Sequence, residues 1–240
     1  MQESLKDNLT QWNKISSYSK WIYKQFAPFI GKRVLDIGIG IGTFETFFID
    51  RTDVVVGIDI FDDQMGVVKD RFPDSHLDLF VLNIEKDTLD VLIQYSFDTI
   101  LCVNVLEHLE NDLYALNAMK SLINENGKIV LFVPALSRLY CQMDKNAGHY
   151  RRYDKGMLNT LAEKAGLIIV KQKYFNFMGV LPYYLKGKSK SVDESGTFST
   201  DLNETNSKMI NCATRILSPL ESLINIPIGL SEYVILQKQK

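Results

Sequence analysis

Three glycines follow a run of apolar residues in VLDIGIGIGTF, residues 34–44. Glycine weakens regular structure, so Gly38, Gly40 and Gly42 at alternate positions indicate that a ligand approaches the backbone closely. A strand that ends in glycines and opens a helix presents backbone amides to such a ligand. The order G-x-G-x-G places Thr43 where the dinucleotide-binding fingerprint has its last glycine. A tight turn with close packing is the alternative explanation.

Two carboxylates accompany the glycines. Asp36 precedes them, and Asp59 ends the next predicted strand, about twenty residues after Gly38. A carboxylate at that distance accepts hydrogen bonds from the ribose hydroxyls of an adenosine moiety. It would also repel a 2′-phosphate, which argues against NADP. Asp59 could instead cap the helix that follows it.

Two of the three histidines follow predicted strands, at the edge where a doubly wound sheet holds its ligand. They are His108 in NVLEHLEND and His149 in AGHYRRY, and either could titrate near neutrality and act as a base. His108 could instead pack and orient its loop. Asp144 is a possible partner for His149. The third histidine, His76, lies in a predicted turn and is expected to be exposed.

Arg151 and Arg152 are adjacent and lie in the same segment as His149, two and three residues after it. Paired arginines can bind a carboxylate or a phosphate through two parallel hydrogen bonds, so both are candidate substrate contacts. They could instead form ion pairs with Asp144 or Asp154. Tyr153 could donate a hydrogen bond to the substrate or simply pack.

The elements that must position these residues alternate between strands and helices. Several strands are continuous apolar runs, which is typical of a parallel sheet covered on both faces. Alternating β and α elements predict a doubly wound α/β sheet. The predicted strands are RVLDIG, DVVVGIDI, LDLFVLNI, FDTILCVN, GKIVLFVP, LIIVKQKYF and SEYVILQKQK. A helix is predicted over residues 10–30, and another is predicted to start in GTFETFFIDR. Further helices are predicted in DDQMGVVKDRF, KDTLDVLIQY, NDLYALNAMKSLI and DKGMLNTLAEKAGL.

The length of 240 residues suits one α/β domain. We therefore predict a single domain over residues 1–240, with a helical cap formed by residues 1–30. Residues 186–225 begin with a stretch poor in large apolar side chains and are predicted to form a lid or insertion.

Composition narrows the classes of partner. The formal net charge is −2, so no basic field favours nucleic acid. No apolar run reaches the roughly 20 residues that a membrane helix needs, and the polar N-terminus shows no signal peptide, so no transmembrane segment is expected. The three cysteines are far apart, and no Cys/His cluster has the spacing of a metal site. We expect a cytoplasmic protein that holds no metal.

Four segments, taken in order, resemble the class I S-adenosylmethionine-dependent methyltransferases. They are VLDIGIGIG, GIDI, FDTILCVNVLEHLEND and GKIVLFVP. The resemblance covers roughly residues 15–175 and the last strand. The segment VPALSRLYCQMDKNAGHYRRY resembles a bacterial subgroup that carries a D-x-x-x-G-H-x-R-R-Y stretch. The family implies a Rossmann-like sheet of seven strands with an antiparallel last strand. It also implies S-adenosylmethionine as cofactor and S-adenosylhomocysteine as product.

The resemblance also implies roles for individual residues. The glycines would let the backbone approach the methionyl portion of the cofactor, Asp36 would also contribute to cofactor binding, and Asp59 would hold the ribose. The remaining contacts would come from Ile60 beside the adenine, Asn83 at its amino group, Asn104 near the methionyl group, and Tyr18 and Trp21 closing over the cofactor. Family members usually carry Asp at the position of Asn83. Tyr18 and Trp21 could equally be core residues.

The expected reaction is methyl transfer to oxygen on a peptide, glycan or small metabolite. A hydroxyl acceptor would use a histidine as base, whereas a carboxylate would be anchored by an arginine and would need no base. Nitrogen is less favoured because no (D/N)PP(Y/F) segment follows the fourth strand. Two other hypotheses are an NAD-dependent oxidoreductase and a cofactor-binding scaffold without catalysis.

Overall fold

The computed structural model describes residues 16–73, 76–187, 221 and 226–239, and its centre is one seven-stranded sheet. The strand order is β3-β2-β1-β4-β5-β7-β6. The strands are β1 Arg33–Ile37, β2 Val54–Asp59, β3 Leu77–Val81, β4 Phe97–Val103, β5 Ile123–Pro134, β6 Leu167–Phe175 and β7 Ser231–Lys238. The first five are parallel, and β7 lies antiparallel between β5 and β6. The predicted doubly wound sheet with an antiparallel last strand is confirmed.

Helices cover both faces of this sheet. The α-helices among the described residues are α1 Ser16–Phe26, α2 Asp62–Arg71, α3 Asp90–Ile93, α4 Asp112–Leu122, α5 Gln142–Asn146, α6 Lys155–Lys164 and α7 Val180–Gly187. Successive strand residues point to opposite faces, so Leu35 packs in the core beneath α4 while Val34 packs in the core beneath α1. Both faces of β1 are therefore apolar, which explains the continuous apolar run in its sequence.

The segment after the glycines differs from its prediction. GTFETFFIDR was expected to open an α-helix, but the structure has two short 3-10 turns, Glu45–Phe47 and Ile49–Arg51. The Thr46 hydroxyl donates to the Thr43 carbonyl at 2.8 Å, which competes with helical hydrogen bonding. Phe47 stacks on Tyr23 with ring centroids 4.9 Å apart. Aromatic and β-branched residues have low helix propensity, so packing determines this segment.

The helix α6 follows its predicted boundaries closely. Gly166 has φ +63° just after the helix, as a left-handed C-terminal residue should. Asp154 occupies the N-cap position, but its carboxylate accepts hydrogen bonds from the backbone amide and hydroxyl of Ser137 instead of capping the helix. The side chain therefore joins the loop after β5 to the start of α6.

Most of the predicted lid lies outside the described residues, as do residues 1–15 of the predicted cap. The described part of the cap is the helix α1, and α7 ends where the predicted lid begins. In the portion of the chain that the structure describes, no helix has both the length and the apolar character needed to cross a membrane.

Candidate active site at the carboxyl ends of the strands

The glycine turn after β1 has a backbone that only glycine adopts easily. Gly38, Gly40 and Gly42 have φ angles of +76°, +58° and +72°. A Cβ atom on Gly38 would lie 2.3 Å from Cγ2 of Val105, and one on Gly42 would lie 2.7 Å from the ring of Phe72. Close packing and backbone conformation therefore both require glycine here.

Asp59 connects the glycine turn to the end of β2. Its Oδ2 accepts a hydrogen bond from the Gly40 amide at 2.9 Å, and its Oδ1 accepts one from the Phe61 amide at 3.2 Å. Each carboxylate oxygen keeps a further lone pair that a ribose hydroxyl can use. Burial raises the pKa of Asp59. The next residue, Ile60, is 54% exposed and offers an apolar surface for an adenine ring.

A second carboxyl lies beside Asp36 beneath the turn. Asp36 and Glu45 are both buried, and burial together with their mutual repulsion raises the pKa of Asp36 well above its usual range. Burial also raises the pKa of Glu45. Both shifts favour the protonated, neutral form of a carboxyl. Glu45 is not among the site residues that the sequence indicates, because GTFETFFIDR predicts it within a helix.

The two predicted asparagine contacts occupy different local structures. The amide oxygen of Asn83 accepts from the Glu85 amide at 2.9 Å, so this part of the side chain holds the turn after β3. Asn104 is exposed at the end of β4 with φ +54°. Its backbone N–H donates a hydrogen bond to the Phe132 carbonyl at 2.8 Å. Asparagine adopts this conformation more readily than most non-glycine residues do, and Asn104 presents an exposed side chain at the strand end.

Tyr18 and Trp21 lie against the end of β6 and pack with Phe175. The ring centroids of Trp21 and Phe175 are 4.1 Å apart, and those of Tyr18 and Phe175 are 6.0 Å apart. The Asn176 amide donates to the Tyr18 hydroxyl at 3.4 Å, and burial raises the pKa of Tyr18 to about 12. These contacts match the core-packing alternative for both side chains.

Asp144 is the centre of a buried polar network after β5. Its Oδ1 accepts from Nε of Arg152 at 2.8 Å and from Nδ1 of His149 at 3.1 Å. Its Oδ2 accepts from the Tyr183 hydroxyl and the Cys141 amide, each at 2.9 Å. Burial alone would raise the pKa of Asp144, but the hydrogen bond with His149 and the charge of Arg152 lower it.

The two arginines do not form the predicted clamp. Arg152 has a side chain only 3% exposed, and its guanidinium lies 4.1 Å from the centroid of the Tyr183 ring. Arg151 instead pairs with Asp112 at 2.8 Å, through Nη1, and donates from Nη2 to the Glu110 carbonyl at 2.6 Å. Neighbours in an extended segment point in opposite directions, so the two guanidinium groups separate. Both arginine side chains therefore form ion pairs, which was the alternative to substrate contact.

Tyr153 is also closed to a substrate in this structure. It is 1% exposed, and its hydroxyl lies 3.1 Å from Oδ2 of Asp112 and 3.2 Å from the Leu106 carbonyl. Its backbone amide donates to the Pro134 carbonyl at 2.9 Å. The packing alternative accounts for Tyr153, which secures the loop after β5 against the loop after β4.

His108 and His149 come together at the ends of β4 and β5. Their rings meet edge to face with centroids 4.7 Å apart. His108 keeps an exposed edge, yet the surrounding protein and the neighbouring His149 lower its pKa to about 4. The backbone amide of Tyr150 donates to the Glu107 carbonyl at 2.8 Å and holds the two loops together.

Glu107 completes this group, which we term the Glu/His cluster: Glu107, His108 and His149. One possible donor atom from each side chain lies within 4.8 Å of the others. Glu107 is 1% exposed, and burial raises its pKa to about 7. Its Oε2 has no hydrogen-bond partner among the described residues. Glu107 is not among the site residues that the sequence indicates, because its distance from His149 in the chain hides their proximity.

Two other features lie apart from these strand ends. His76 is exposed as expected, and its ring lies 3.2 Å from the Thr52 hydroxyl, before β3. A surface cavity of about 400 Å³ lies between α3 and α4, lined by residues that include Thr88 and Tyr114. This cavity has no histidine and no glycine turn, so we place the candidate site at the strand ends instead.

Relatives among curated proteins share part of this chain. The ubiquinone biosynthesis O-methyltransferase of Glaesserella parasuis is 32% identical over 114 residues, which are 45% of this chain and 47% of that protein. The protein of the same name from Paraburkholderia phymatum is 32% identical over 119 residues, or 50% of each chain. The chain therefore spans about half the length of the curated relatives it matches.

Solved structures with this fold cover nearly the whole chain. A SAM-dependent methyltransferase from Archaeoglobus fulgidus superposes with a TM-score of 0.60 at 18% identity, over 93% of this chain and 94% of that one. A S-adenosylmethionine-dependent methyltransferase from Clostridium acetobutylicum gives a TM-score of 0.59 at 9% identity, over 93% and 92%. At these identities the likeness establishes the fold.

A family model described as a methyltransferase domain matches residues 13–172, which include β1 to β5 and both histidine loops. The glycine turn, the Asp59 carboxylate and the exposed Ile60 fit the cofactor that the sequence implied. Assignment to the subgroup with the D-x-x-x-G-H-x-R-R-Y stretch stays a prediction. Since the match covers more than half of the chain, the protein belongs to the class I S-adenosylmethionine-dependent methyltransferases.

Proposed function

We propose that the protein is an O-methyltransferase that transfers the methyl group of S-adenosylmethionine to a hydroxyl of a small molecule. The observation that carries this proposal is the Glu/His cluster at the ends of β4 and β5. Transfer to a hydroxyl forms an O–CH3 bond, breaks the S–CH3 bond of the cofactor and releases one proton. The reaction therefore needs a group that promotes loss of this proton, and a histidine side chain acts as that group in many enzymes.

The residues divide into two sets with different tasks. The glycine turn, Asp36, Asp59, Ile60 and Asn104 would bind the cofactor, which supplies a methyl group activated by its attachment to a sulfonium. The Glu/His cluster would activate the acceptor, and Asp144 would act as a positioning residue for His149. Alignment of the acceptor oxygen with the methyl group would provide much of the rate enhancement.

A hydroxyl is favoured over a carboxylate for a structural reason. A carboxylate acceptor would need a cationic anchor, but Arg152 is buried with Asp144 and Arg151 is paired with Asp112. The curated relatives that match are named O-methyltransferases of ubiquinone biosynthesis. This supports an acidic hydroxyl such as a phenol, whose pKa of about 10 makes loss of the proton comparatively easy.

The compartment is part of the same proposal. Cys102 and Cys141 carry free thiols, which suits a reducing environment such as the cytoplasm. The competing hypothesis of an NAD-dependent oxidoreductase has no support from the family match. A scaffold without catalysis predicts cofactor binding with no turnover of any acceptor.

Calorimetry with S-adenosylmethionine and S-adenosylhomocysteine tests the cofactor half of the proposal. Asp59→Ala removes the carboxylate that would hold the ribose, so we expect binding to weaken by about 1–3 kcal/mol. Asp62→Ala is the matched control, because Asp62 is exposed on the first turn of α2. Equal affinity in wild type and Asp59→Ala would contradict this placement of the cofactor.

Turnover tests the acceptor half. Methyl transfer to a panel of phenols, aliphatic alcohols and carboxylic acids should favour the phenols. His149→Ala should lower kcat by about 10²–10⁴-fold while the affinity for S-adenosylhomocysteine stays unchanged. Transfer to carboxylic acids with full activity in His149→Ala would overturn the proposal.

A further inference from the structure

We infer that the Glu/His cluster is a binding site for one divalent transition-metal ion. Its three side chains, Glu107, His108 and His149, offer one carboxylate oxygen and two imidazole nitrogens that lie within 4.8 Å of one another. Mixed nitrogen and oxygen donors of this kind suit zinc and its first-row neighbours rather than magnesium or calcium. Only the catalytic role of the ion rests on the proposed function.

The separations are close to those of a bound ion. Metal–ligand distances of about 2.0–2.2 Å place the donor atoms of a tetrahedral site about 3.3–3.6 Å apart. The donor atoms of the cluster lie within 4.8 Å of one another, so they have to approach by at most about 1.5 Å. His108 lies at an exposed position on a short 3-10 turn, so rotation of its side chain can supply this movement.

The buried carboxyl provides an independent sign of a missing partner. Oε2 of Glu107 is inaccessible to solvent and accepts no hydrogen bond from any described residue. Both oxygens of Glu45 and of Glu232 also lack a partner among the described residues, but Glu107 is the one of the three that lies beside two imidazoles. A buried acceptor without a partner destabilises the fold. A cation placed between the carboxylate and the two imidazoles would satisfy this oxygen.

The surroundings of His149 also match those of a metal ligand. Asp144 is ion-paired with Arg152, so its carboxylate accepts a hydrogen bond from Nδ1 of His149. The other ring nitrogen, Nε2, is then left with its lone pair available for a metal. A carboxylate behind a histidine ligand fixes the ring orientation and tautomer in many metal sites. The hydroxyl of Tyr183 donates a hydrogen bond to the other oxygen of the Asp144 carboxylate, Oδ2.

Three protein ligands leave open positions on the ion, as in catalytic zinc sites. An acceptor hydroxyl bound there would have its pKa lowered and would lose its proton to solvent. This deepens the proposed function, because the two histidines would then activate the hydroxyl through the ion. It also revises the expectation of a metal-free protein, since the loops after β4 and β5 bring together donors that are far apart in the sequence.

The test is metal binding to the full chain after removal of metals with EDTA. Calorimetry with Zn²⁺ and visible spectroscopy with Co²⁺ should show one ion per chain. His108→Ala and Glu107→Gln should each weaken binding by at least about tenfold. His76→Ala is the matched control and should bind as wild type does, since His76 lies near Thr52.

Several results would overturn the inference. They are no binding of either ion, equal affinity in wild type and the two cluster variants, or a cobalt–thiolate band that places the ion at a cysteine. A folding defect is detected by thermal melts, in which Zn²⁺ should raise the Tm of wild type and His76→Ala but not of His108→Ala. Binding of S-adenosylhomocysteine is measured on the same samples, so failure of the cofactor proposal and failure of the metal site are distinguishable.

Discussion

At the scale of single residues, Asp144 determines the structure of the loop that carries His149. Its carboxylate accepts hydrogen bonds from Arg152, His149, Tyr183 and the Cys141 amide. This carboxylate is fully buried, so each bond is made at low local dielectric, where loss of a partner is costly. The loop is therefore held rigidly beside the sheet, and His149 with it.

Asp144→Asn tests this role. The substitution leaves the Arg152 guanidinium buried without its counter-charge, so we expect a loss of about 3–5 kcal/mol in the free energy of unfolding. Urea denaturation measures it. Asp53→Asn is the matched control, because the Asp53 side chain is 67% exposed and its ion pair with Lys32 spans 3.9 Å. A cost below about 1 kcal/mol for Asp144→Asn would show that Arg152 finds another partner.

At the scale of elements, the glycine turn joins β1 to the two 3-10 turns that replace the expected helix. Asp59 at the end of β2 binds the Gly40 amide, so two neighbouring strands together fix the shape of the turn. Val105, after β4, fills the space where a Gly38 side chain would lie. Three strand ends therefore meet at the proposed cofactor site.

Gly38→Ala tests the turn. Its φ of +76° and the 2.3 Å approach to Val105 both oppose a methyl group, so we expect a destabilisation of more than about 1 kcal/mol and weaker cofactor binding. Gly66→Ala is the control, because Gly66 lies within α2 and its added Cβ meets no atom within 4 Å. That variant should be more stable by about 0.4–1 kcal/mol. Thermal melts and calorimetry measure both, and an unchanged Gly38→Ala would contradict the packing described here.

At the scale of the whole molecule, the last strand of the chain lies inside the sheet and not at its edge. β7 lies between β5 and β6, with Tyr233 paired to Phe132 on one side and to Lys173 on the other. Its first six residues are buried. Glu232 is one of them, and burial raises its pKa to about 7.

This carboxyl links global stability to pH. The pKa of Glu232 is higher in the folded state than in the unfolded state, so the folded state binds the proton more tightly. The stability that this proton contributes is therefore lost as pH rises from about 4 to about 7. Glu232→Gln should remove this dependence, so wild type should lose on the order of 3 kcal/mol relative to the variant across that range. Urea denaturation at pH 4.5, about 6 and about 8 measures the difference. Parallel pH profiles would contradict the assignment.

The strands were predictable because their signal is local. Segments rich in apolar residues marked all seven strands, including β2 with Asp59 at its end. The site at their carboxyl ends followed from sheet geometry. The helix after Gly42 was predicted wrongly, since Phe47 and its neighbours pack as aromatic side chains in two 3-10 turns rather than along one helical face.

The sequence by itself determined the strand order along the chain, the glycine turn and the candidate side chains at the strand ends, because periodicity and backbone requirements act over a few residues. Only the tertiary structure decided which partners these side chains have. It assigned Arg152 to Asp144 and Arg151 to Asp112, and it brought Glu107 to His149. Such pairings depend on the direction of each side chain and on contacts between distant segments, which local patterns do not contain.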